Sequence, residues 1–396
     1  MLMLYNKKAT IFLLILPLIY NAILAVVNAH LVTVNVQAVA LSEILILMSI
    51  IFFSYKNQLD RIDLLASAIL VMALVSLIFS YVQVGYIFID NFRNVLVMLV
   101  AYIAGRKLTL DSAIIIYKSV IVVFYVFLLL EIFFLANYVE LFNPPLYFSN
   151  TRGFEMVETN ELGVFSNALG FEGRFTLGVF DGPRTSSLML EQVSFSYLNI
   201  VLTLFTMVFW KEITSKWKFV FLSFSVVVLL TNESRLALIV SAVYFLGYYI
   251  FPLLHRLLFA YFPILLLGVG LMMASLYSDA AGDNFIGRIV YSFDHFSKLK
   301  WADYFGAGVL NVNQLFDSGY TYLISAGTIF SALSIYLFTI LAVYSDSIAG
   351  RRYAYGLILY FWLALMIAGT SVFSIKSSFI LWLFAGYVTR YNADVK

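Results

Sequence analysis

The sequence predicts an all-α, polytopic transmembrane helical bundle of about twelve spans with two large loops outside the membrane core. Composition is the first reason: 63% of the 396 residues are hydrophobic and only 12% are charged, whereas soluble domains carry about 25% charged residues. The second reason is that apolar runs recur at about the 20-residue length that a membrane-spanning helix needs. A chain with a mean hydropathy of +0.95 needs lipid as its solvent, and we expect an integral membrane protein.

The candidate spans fall into three groups that two long, more polar loops separate. About five spans lie in residues 1–137, about four in 190–276 and about three in 317–396. The loops cover residues 138–189 and 277–316. The individual candidate spans are residues 9–28, 32–54, 64–83, 87–105, 112–136, 190–210, 217–232, 235–252, 257–276, 317–343, 354–371 and 375–390.

The N-terminal segment has two possible interpretations. Lys7 and Lys8 precede an apolar stretch, and Val27-Asn28-Ala29 resembles a signal-peptidase site. The apolar stretch is nearly as long as a full span and longer than the core of a usual signal peptide. We therefore interpret it as the first transmembrane helix.

The distribution of lysine and arginine among the loops predicts the orientation of the chain, because cytoplasmic loops are enriched in both. One set of short connections carries most of the cations: Lys7, Lys8, Lys56, Arg61, Arg106, Lys107, Lys211, Lys216, Lys218, Arg256, Arg351, Arg352, Arg390 and Lys396. This bias assigns both termini to the cytoplasm and both long loops to the opposite side. Long loops of this kind are usually functional.

The second loop contains a stretch of helical periodicity at residues 285–300. Its apolar residues recur on one face of a helix, and they are Phe285, Ile286, Ile289, Val290, Phe293, Phe296 and Leu299. The pattern predicts an amphipathic helix that lies in the membrane interface. The alternative is a lid that packs on the bundle.

Several classes of chemistry have no motif in this sequence. The chain has no cysteine, and it has neither a phosphate-binding GxxxxGK[ST] loop nor an HExxH motif. His30, His255 and His295 are far apart and match no zinc spacing. No basic run indicates nucleic acid. The sequence therefore predicts no metal site, no cofactor and no nucleic-acid partner.

Two arginines lie at helix ends on the side of the long loops. Arg184 is in the stretch where the first loop leads back into the membrane. Arg235 follows Thr231-Asn232-Glu233-Ser234, a connection so short that the flanking helices must form a tight hairpin. A guanidinium group matches the geometry of phosphate oxygens and keeps its charge, so the pair could bind a phosphate or pyrophosphate. Alternatively, each arginine only extends towards lipid headgroups.

Acidic residues accompany both arginines. Glu191 opens a helix, where a carboxylate favours the helix dipole, and it could also orient Arg184 or Arg235. Glu233 could form a simple ion pair with Arg235.

Further ionisable residues fall inside the candidate spans. Arg93 follows Asp90 near the end of the fourth span, where the two could neutralise each other or mark a functional site. Glu43, Lys118 and Glu131 lie deep in other spans and could line a polar cavity or pair across helices. Cations of the loops could attract anionic glycan or lipid phosphate or could simply be solvated: Arg152, Arg174, Arg288, Lys298 and Lys300.

Three segments resemble those of a known family. Arg184–Glu191 is similar to an Arg-x-x-Gly-x-Phe-x-Glu-Pro segment, and Thr231–Leu238 is similar to a Ser-Arg turn. Tyr304–Gly308, followed by Asp317–Tyr320 and Gly327, is similar to the end of a second large loop. In their order, spacing and sidedness the three segments resemble the Wzy-type O-antigen and exopolysaccharide polymerases.

The resemblance has two departures and implies roles for particular residues. Ser187 and Gln192 stand where the pattern has Gly and Pro. By this resemblance Arg184 and Arg235 bind the pyrophosphate of a polyprenyl-linked glycan. Asp317 stands where the related O-antigen ligases have a histidine, so it would act as the general base; alternatively, Asp317 only caps a helix. We expect further contributions to substrate binding from Glu191, Arg93, Glu233, Tyr320 and Arg288.

The activity that the resemblance implies is polymerisation of polyprenyl-pyrophosphate-linked oligosaccharide repeat units by glycosyl transfer without a metal. The active site would face the periplasm, with both large loops periplasmic, in the inner membrane of a bacterium. The lipid-linked donor and acceptor glycans and the bilayer would be its partners, together with a chain-length regulator and a flippase.

Two other functions stay open at the level of sequence. A lipid-linked oligosaccharide flippase or another transporter would suit the number of spans, although such proteins tend to show paired halves and short loops on both sides. An O-antigen ligase would suit the architecture, but it would carry a histidine at the position of Asp317.

Overall fold

A computed structural model of the chain describes residues 7–54, 61–153, 162–169, 175–277, 284–315, 317–367 and 369–391. Within these ranges every regular element is a helix and no strand is present, which confirms the all-α class. The physical reason is that a helix satisfies its backbone hydrogen bonds within one segment, whereas an open strand in apolar surroundings cannot.

Sixteen α-helices are present in the described part of the chain. The first eight are α1 Lys7–His30, α2 Val36–Ser54, α3 Arg61–Val84, α4 Ile89–Gly105, α5 Leu110–Phe133, α6 Leu135–Phe142, α7 Pro144–Arg152 and α8 Gln192–Val208. The others are α9 Ser215–Asn232, α10 Arg235–Ile250, α11 Arg256–Leu276, α12 Phe285–Ser297, α13 Trp301–Tyr304, α14 Gly319–Leu341, α15 Ile348–Ile367 and α16 Ile375–Tyr391.

A helix is present at every one of the twelve candidate spans. Among the described residues, six helices are long and apolar enough to cross a membrane, and they are Lys7–His30, Ala66–Val84, Leu110–Phe133, Arg235–Leu253, Arg256–Leu276 and Gly319–Leu341. Membrane crossing by the other six helices stays a prediction. The chain therefore has the character of a membrane protein, and six helices of its described part have the length and composition that a membrane crossing needs.

The outer surface of α11, the least buried of these six helices, is apolar and calls for an apolar solvent. In α11 only 17% of the most apolar window is buried inside the protein. Leu257, Ile264, Leu265 and Met272 of this helix are all exposed. A water-soluble protein rarely exposes a continuous apolar surface of this kind, whereas the hydrocarbon of a bilayer would cover it.

The described chain divides into two compact units that interleave along the sequence. The first unit comprises Met1–Lys56 and Leu108–Ile239, and the second comprises Asn57–Lys107 and Val240–Lys396. The three consecutive blocks of spans that the sequence predicts stay a prediction.

The first large loop is partly helical, because α6 and α7 lie in it. The fifth candidate span is shorter than predicted: α5 ends at Phe133, and α6 already begins at Leu135. The predicted boundary between residues 137 and 138 falls inside α6. Asn143 starts α7 from a left-handed conformation (φ 37°), its side chain accepts a hydrogen bond from Leu146 N, and Pro144 occupies the first helical position.

In the second unit, the helix predicted at residues 285–300 is confirmed as α12, which ends at Ser297. The side chain of Asn284 caps it by accepting a hydrogen bond of 2.8 Å from Gly287 N. Ile289, Val290 and Phe293 on its apolar face are buried where it packs against α11, α14 and α15. The protein itself covers this face, as the lid interpretation requires, and placement in the membrane interface stays a prediction.

The second unit also contains a close glycine crossing between α4 and α16. A Cβ atom added at Gly105 would lie 1.9 Å from the carbonyl oxygen of Leu383. A Cβ atom added at Gly386 would lie 2.0 Å from the carbonyl oxygen of Tyr102. The two backbones approach this closely because neither helix has a side chain at the crossing, the usual device of tightly packed membrane helices.

We expect Gly105→Ala or Gly386→Ala to lower the free energy of unfolding by about 1–3 kcal/mol or more, because the added methyl group must push two backbones apart. Thermal unfolding of the purified protein in detergent measures the effect. Gly268→Ala in α11 is the matched control, since an added Cβ there has no atom within 4 Å. Equal unfolding temperatures for all three variants would contradict the close crossing.

Candidate functional site

The first unit joins two of the segments that the sequence analysis singles out: Arg184–Glu191, here called the arginine segment, and Thr231–Arg235, here called the Asn232 turn. Thr185 N donates a hydrogen bond of 3.1 Å to Thr231 O. The hydroxyl groups of these two threonines also lie 2.7 Å apart. Two segments that are more than forty positions apart in the sequence thus pair through backbone and side chain.

Asn232 fastens the arginine segment to the turn through a set of hydrogen bonds, here called the clamp. Its buried Nδ2 donates to Thr185 O at 2.7 Å and to Gln192 O at 2.9 Å. In the opposite direction, Arg184 Nε donates to Asn232 O at 2.5 Å. The guanidinium of Arg184 is therefore bound to the Asn232 turn, which ends at Arg235. Both arginines are half-buried.

The predicted tight hairpin is confirmed at the Asn232 turn. Helix α9 ends at Asn232 and α10 begins at Arg235, with two connecting residues. Glu233 takes a left-handed conformation (φ 53°) to make the turn, a conformation that non-glycine residues rarely adopt.

Glu233 does not pair with Arg235, so the ion-pair interpretation is wrong for these two described residues. The carboxylate oxygen Oε1 of Glu233 instead accepts hydrogen bonds from Thr176 Oγ1 at 2.7 Å and from Leu177 N at 2.8 Å. The guanidinium carbon of Arg235 lies 5.4 Å from the ring centroid of Phe175, within the range of a cation–π contact. Glu233 thus ties residues 175–177 against the turn, and Phe175 supports Arg235.

On its other side the arginine segment is held by Glu131, which lies near the end of α5. The buried carboxyl group accepts hydrogen bonds from Ser186 N at 2.9 Å, from Ser187 N at 2.6 Å and from Ser186 Oγ at 3.0 Å. The hydroxyl of Ser187 donates to Phe124 O at 2.8 Å. Glu131 therefore neither lines a cavity nor pairs with another ionisable side chain through these bonds; it contacts the backbone of the loop.

Tyr138 of α6 completes the contacts of this turn. Its hydroxyl donates to Ser187 O at 2.7 Å and lies 3.1 Å from Ser186 Oγ. Burial, together with the neighbouring carboxyl group of Glu131, holds the pKa of Tyr138 well above its ordinary value. The phenol therefore stays protonated and remains a hydrogen-bond donor.

The backbone of the arginine segment is unusual at two positions. Ser187 (φ 48°) and Leu190 (φ 59°) are left-handed although neither is glycine. Ser187 stands where the motif of the resembled family has Gly, a residue that reaches this region without steric cost. The turn at Ser187 therefore forms despite a residue that disfavours it.

Glu191 precedes the first residue of α8, as predicted, but its side chain makes no cap hydrogen bond to the helix backbone. It forms an ion pair with Arg152 at 3.3 Å and accepts a hydrogen bond of 3.0 Å from Ser194 Oγ. The guanidinium carbon of Arg152 lies 4.7 Å from the ring centroid of Phe148. Arg152 is thus a paired residue beside the arginine segment and not only a solvated loop cation.

Asp317 belongs to the second unit, and its interpretation as a helix cap is wrong. The residue before α14 is Ser318, and no side-chain cap hydrogen bond forms there. The hydroxyl of Ser318 donates to Ser292 O at 2.7 Å. Asp317 is exposed, so its carboxyl group can reach a ligand from solution.

The other candidates of the second unit differ in exposure. Tyr320 is a core residue, with its ring centroid 5.5 Å from that of Phe293 and 5.7 Å from that of Trp362, so a direct contact with substrate has no support. The ion pair of Arg93 with Asp90 is confirmed at 3.2 Å. Arg288 lies on the exposed side of α12.

The structure thus brings Arg184, Glu191, Glu233 and Arg235 into one network of the first unit. Asp317, Arg93, Tyr320 and Arg288 are distributed over the second unit. Of the loop cations, Lys298 pairs with Asp294 at 2.5 Å, and Arg174 lies outside the described residues. Within the described ranges no group of three or more potential metal-ligating side chains is found.

Comparisons with known proteins add no further identification. No protein-family model, no curated protein and no solved structure matches the chain.

We expect Asn232→Asp to lower the free energy of unfolding by about 1–3 kcal/mol, because a carboxyl oxygen would replace the buried Nδ2 donor that faces two carbonyl groups. The midpoint of thermal unfolding checks this expectation. Asn313→Asp makes the same chemical change at an exposed position and should leave the midpoint unchanged. If Asn232→Asp were as stable as this control, the two hydrogen bonds that Asn232 Nδ2 donates would not be needed for stability.

Proposed function

We propose that this protein polymerises polyprenyl-pyrophosphate-linked oligosaccharide units by glycosyl transfer at the periplasmic face of a bacterial inner membrane. The observation that carries the proposal is the clamp at the Asn232 turn. The guanidinium of Arg184 donates to the carbonyl of Asn232, and Arg235 begins α10 at the end of the same turn, so both cationic side chains belong to the Asn232 turn region. An anion such as pyrophosphate fits such a pair.

The backbone geometry also supports the resemblance on which the choice of substrate depends. Ser187 is left-handed (φ 48°) at the position where the family motif has Gly. Glycine reaches that conformation without steric cost, so the backbone at this position is compatible with the family motif. The second departure, Gln192, begins α8, and the first position of a helix is one that proline also occupies readily.

In the proposed reaction an acceptor sugar hydroxyl attacks the anomeric carbon of the donor glycan. A new glycosidic C–O bond forms, the bond from the anomeric carbon to the phosphate oxygen breaks, and polyprenyl pyrophosphate departs with the electron pair. The exposed carboxyl group of Asp317 accepts the hydroxyl proton. Arg184 and Arg235 stabilise the negative charge that develops on the leaving pyrophosphate.

The proposal assigns a side of the membrane to each loop. The arginine segment and the Asn232 turn face the periplasm together with both large loops, and the termini face the cytoplasm. The lysine and arginine distribution supports this orientation, and the apolar outer surfaces of the helices would contact lipid and the polyprenyl tails of the substrates.

We expect Arg184→Ala, Arg235→Ala and Asp317→Asn each to lower kcat/KM by about a hundredfold or more, because each loses charge stabilisation or proton transfer in the transition state. The assay follows a glycan ladder that the purified protein forms from a polyprenyl-pyrophosphate oligosaccharide. Lys216→Ala removes a charge from the exposed first turn of α9, on the opposite predicted side, and should retain the activity.

The same assay separates the competing functions. A single transfer to a non-polyprenyl acceptor without a ladder would indicate a ligase. Translocation of the lipid in liposomes without any transfer would indicate a flippase and would refute the proposal. Unaltered turnover in the arginine variants would refute the assignment of the site.

We expect single cysteines at positions 181 and 216 to react from opposite sides of the inner membrane, because the chain contains no other cysteine and both positions are exposed. A membrane-impermeant maleimide applied from the periplasmic side should label Asp181→Cys. It should label Lys216→Cys only after the inner membrane has been opened. The reverse pattern, or equal labelling of both, would contradict the proposed orientation.

A further inference from the structure

We infer that Glu131 is a positioning residue for Arg184: it holds the turn at Ser186 and Ser187 in the conformation that presents the guanidinium to a pyrophosphate. The inference rests on the proposed function for the identity of the ligand. The positional role itself is a property of the fold and can be measured without turnover.

The contacts of Glu131 are those of an organising group. Its side chain leaves α5 two residues before the end of the helix and is buried. Both carboxyl oxygens accept from Ser186 N, at 3.1 and 2.9 Å, and Oε2 also accepts from Ser187 N at 2.6 Å. Oε1 accepts from Ser186 Oγ at 3.0 Å. One side chain thereby satisfies the hydrogen-bonding capacity of two consecutive backbone N–H groups and one hydroxyl at a buried position.

The chemistry of the contacts requires a carboxyl group in particular. All the groups that face it are donors, and an ionised carboxyl group is an acceptor through both oxygens. Glutamine has nearly the same shape, but its amide nitrogen would point donor to donor at Ser186 or Ser187. An acidic residue in an apolar span is costly, and this set of donors is a reason for its presence.

Glu131 stabilises the left-handed conformation of Ser187. A non-glycine residue at φ 48° resists that conformation, and the hydrogen bond from Ser187 N to Glu131 is made in it. Without the carboxyl group, the turn loses the contact that favours the strained geometry.

The turn is connected to Arg184 through one residue. Thr185 is fixed to the Asn232 turn by its N–H, its hydroxyl and its carbonyl, and Ser186 is fixed to Glu131. The backbone from Arg184 to Ser187 is therefore held from both sides, by Asn232 on one and by Glu131 on the other. Loss of the hydrogen bonds to Glu131 releases Ser186 and Ser187 and changes the direction in which the chain leaves Arg184.

Titration with inorganic pyrophosphate tests the inference on the full chain in detergent. We expect Glu131→Gln to raise the Kd of pyrophosphate on the order of tenfold, since a small displacement of an anchoring group is sufficient for such a loss. Glu43→Gln is the matched control, because Glu43 is also a buried glutamate of the first unit but bonds to Tyr20. It should leave the Kd unchanged, and Ser186→Ala should give a smaller rise than Glu131→Gln.

A rescue distinguishes positioning from a general loss of folded protein. Glycine adopts the left-handed conformation without strain, so Ser187→Gly in the Glu131→Gln background should recover part of the affinity. A Kd that stays at the parent value in Glu131→Gln would overturn the inference. An equal rise in Glu43→Gln would also overturn it, because the effect would then not be specific to the turn.

Amide hydrogen exchange provides the measurement that does not depend on the ligand. The amides of Ser186 and Ser187 should exchange on the order of tenfold faster in Glu131→Gln than in the parent, and Glu43→Gln should not change them. If this acceleration is found but no variant binds pyrophosphate, the positioning role stands and the proposed function fails. If the exchange is unchanged, the positioning role fails whatever the protein binds.

Discussion

The hydrogen bonds between the carboxyl group of Glu131 and the backbone of Ser186 and Ser187 are the contact on which the candidate site depends. They place a buried acidic group where two N–H groups would otherwise have no partner in apolar surroundings. They also favour a left-handed serine that the chain would otherwise avoid. The arginine segment keeps its path because this contact and the clamp of Asn232 act on it from opposite sides.

The site is built mainly from side chains that form hydrogen bonds with the backbone of other segments, and these bonds fix the segments that carry the arginines. Asn232, Glu131 and Glu233 each use their polar atoms on main-chain groups of other segments, so their positions are fixed before any ligand arrives. Arg184 and Arg235 are held by a carbonyl group and by an aromatic ring. Such preorganised cations lose little freedom on binding an anion, which makes them suitable for charge that develops during a reaction.

The second unit is stabilised by a different constraint, the close approach of helix backbones. Gly105 and Gly386 allow α4 and α16 to touch, and the apolar face of α12 is covered by α11, α14 and α15. In lipid, association of helices relies on close packing, because lipid tails are as apolar as the helix surfaces and supply no hydrophobic driving force for association. The amphipathic helix therefore acts as part of the packed unit, whereas its sequence alone is also compatible with a surface helix.

The sequence by itself determined the helical class, the positions of the helices at the twelve candidate spans and the tight hairpin at Asn232, but not the short helices α6, α7 and α13 of the loops. These features follow from local rules: apolar runs of a fixed length, charges at their ends and connections too short for another geometry. Only the tertiary structure decided that Glu131 binds the loop backbone, that Glu233 contacts Thr176 and not Arg235, and that Ser318 and not Asp317 precedes α14. The reason is that a buried polar group takes whichever partner the fold brings within about 3 Å, and residues far apart in the sequence become neighbours only when the helices pack.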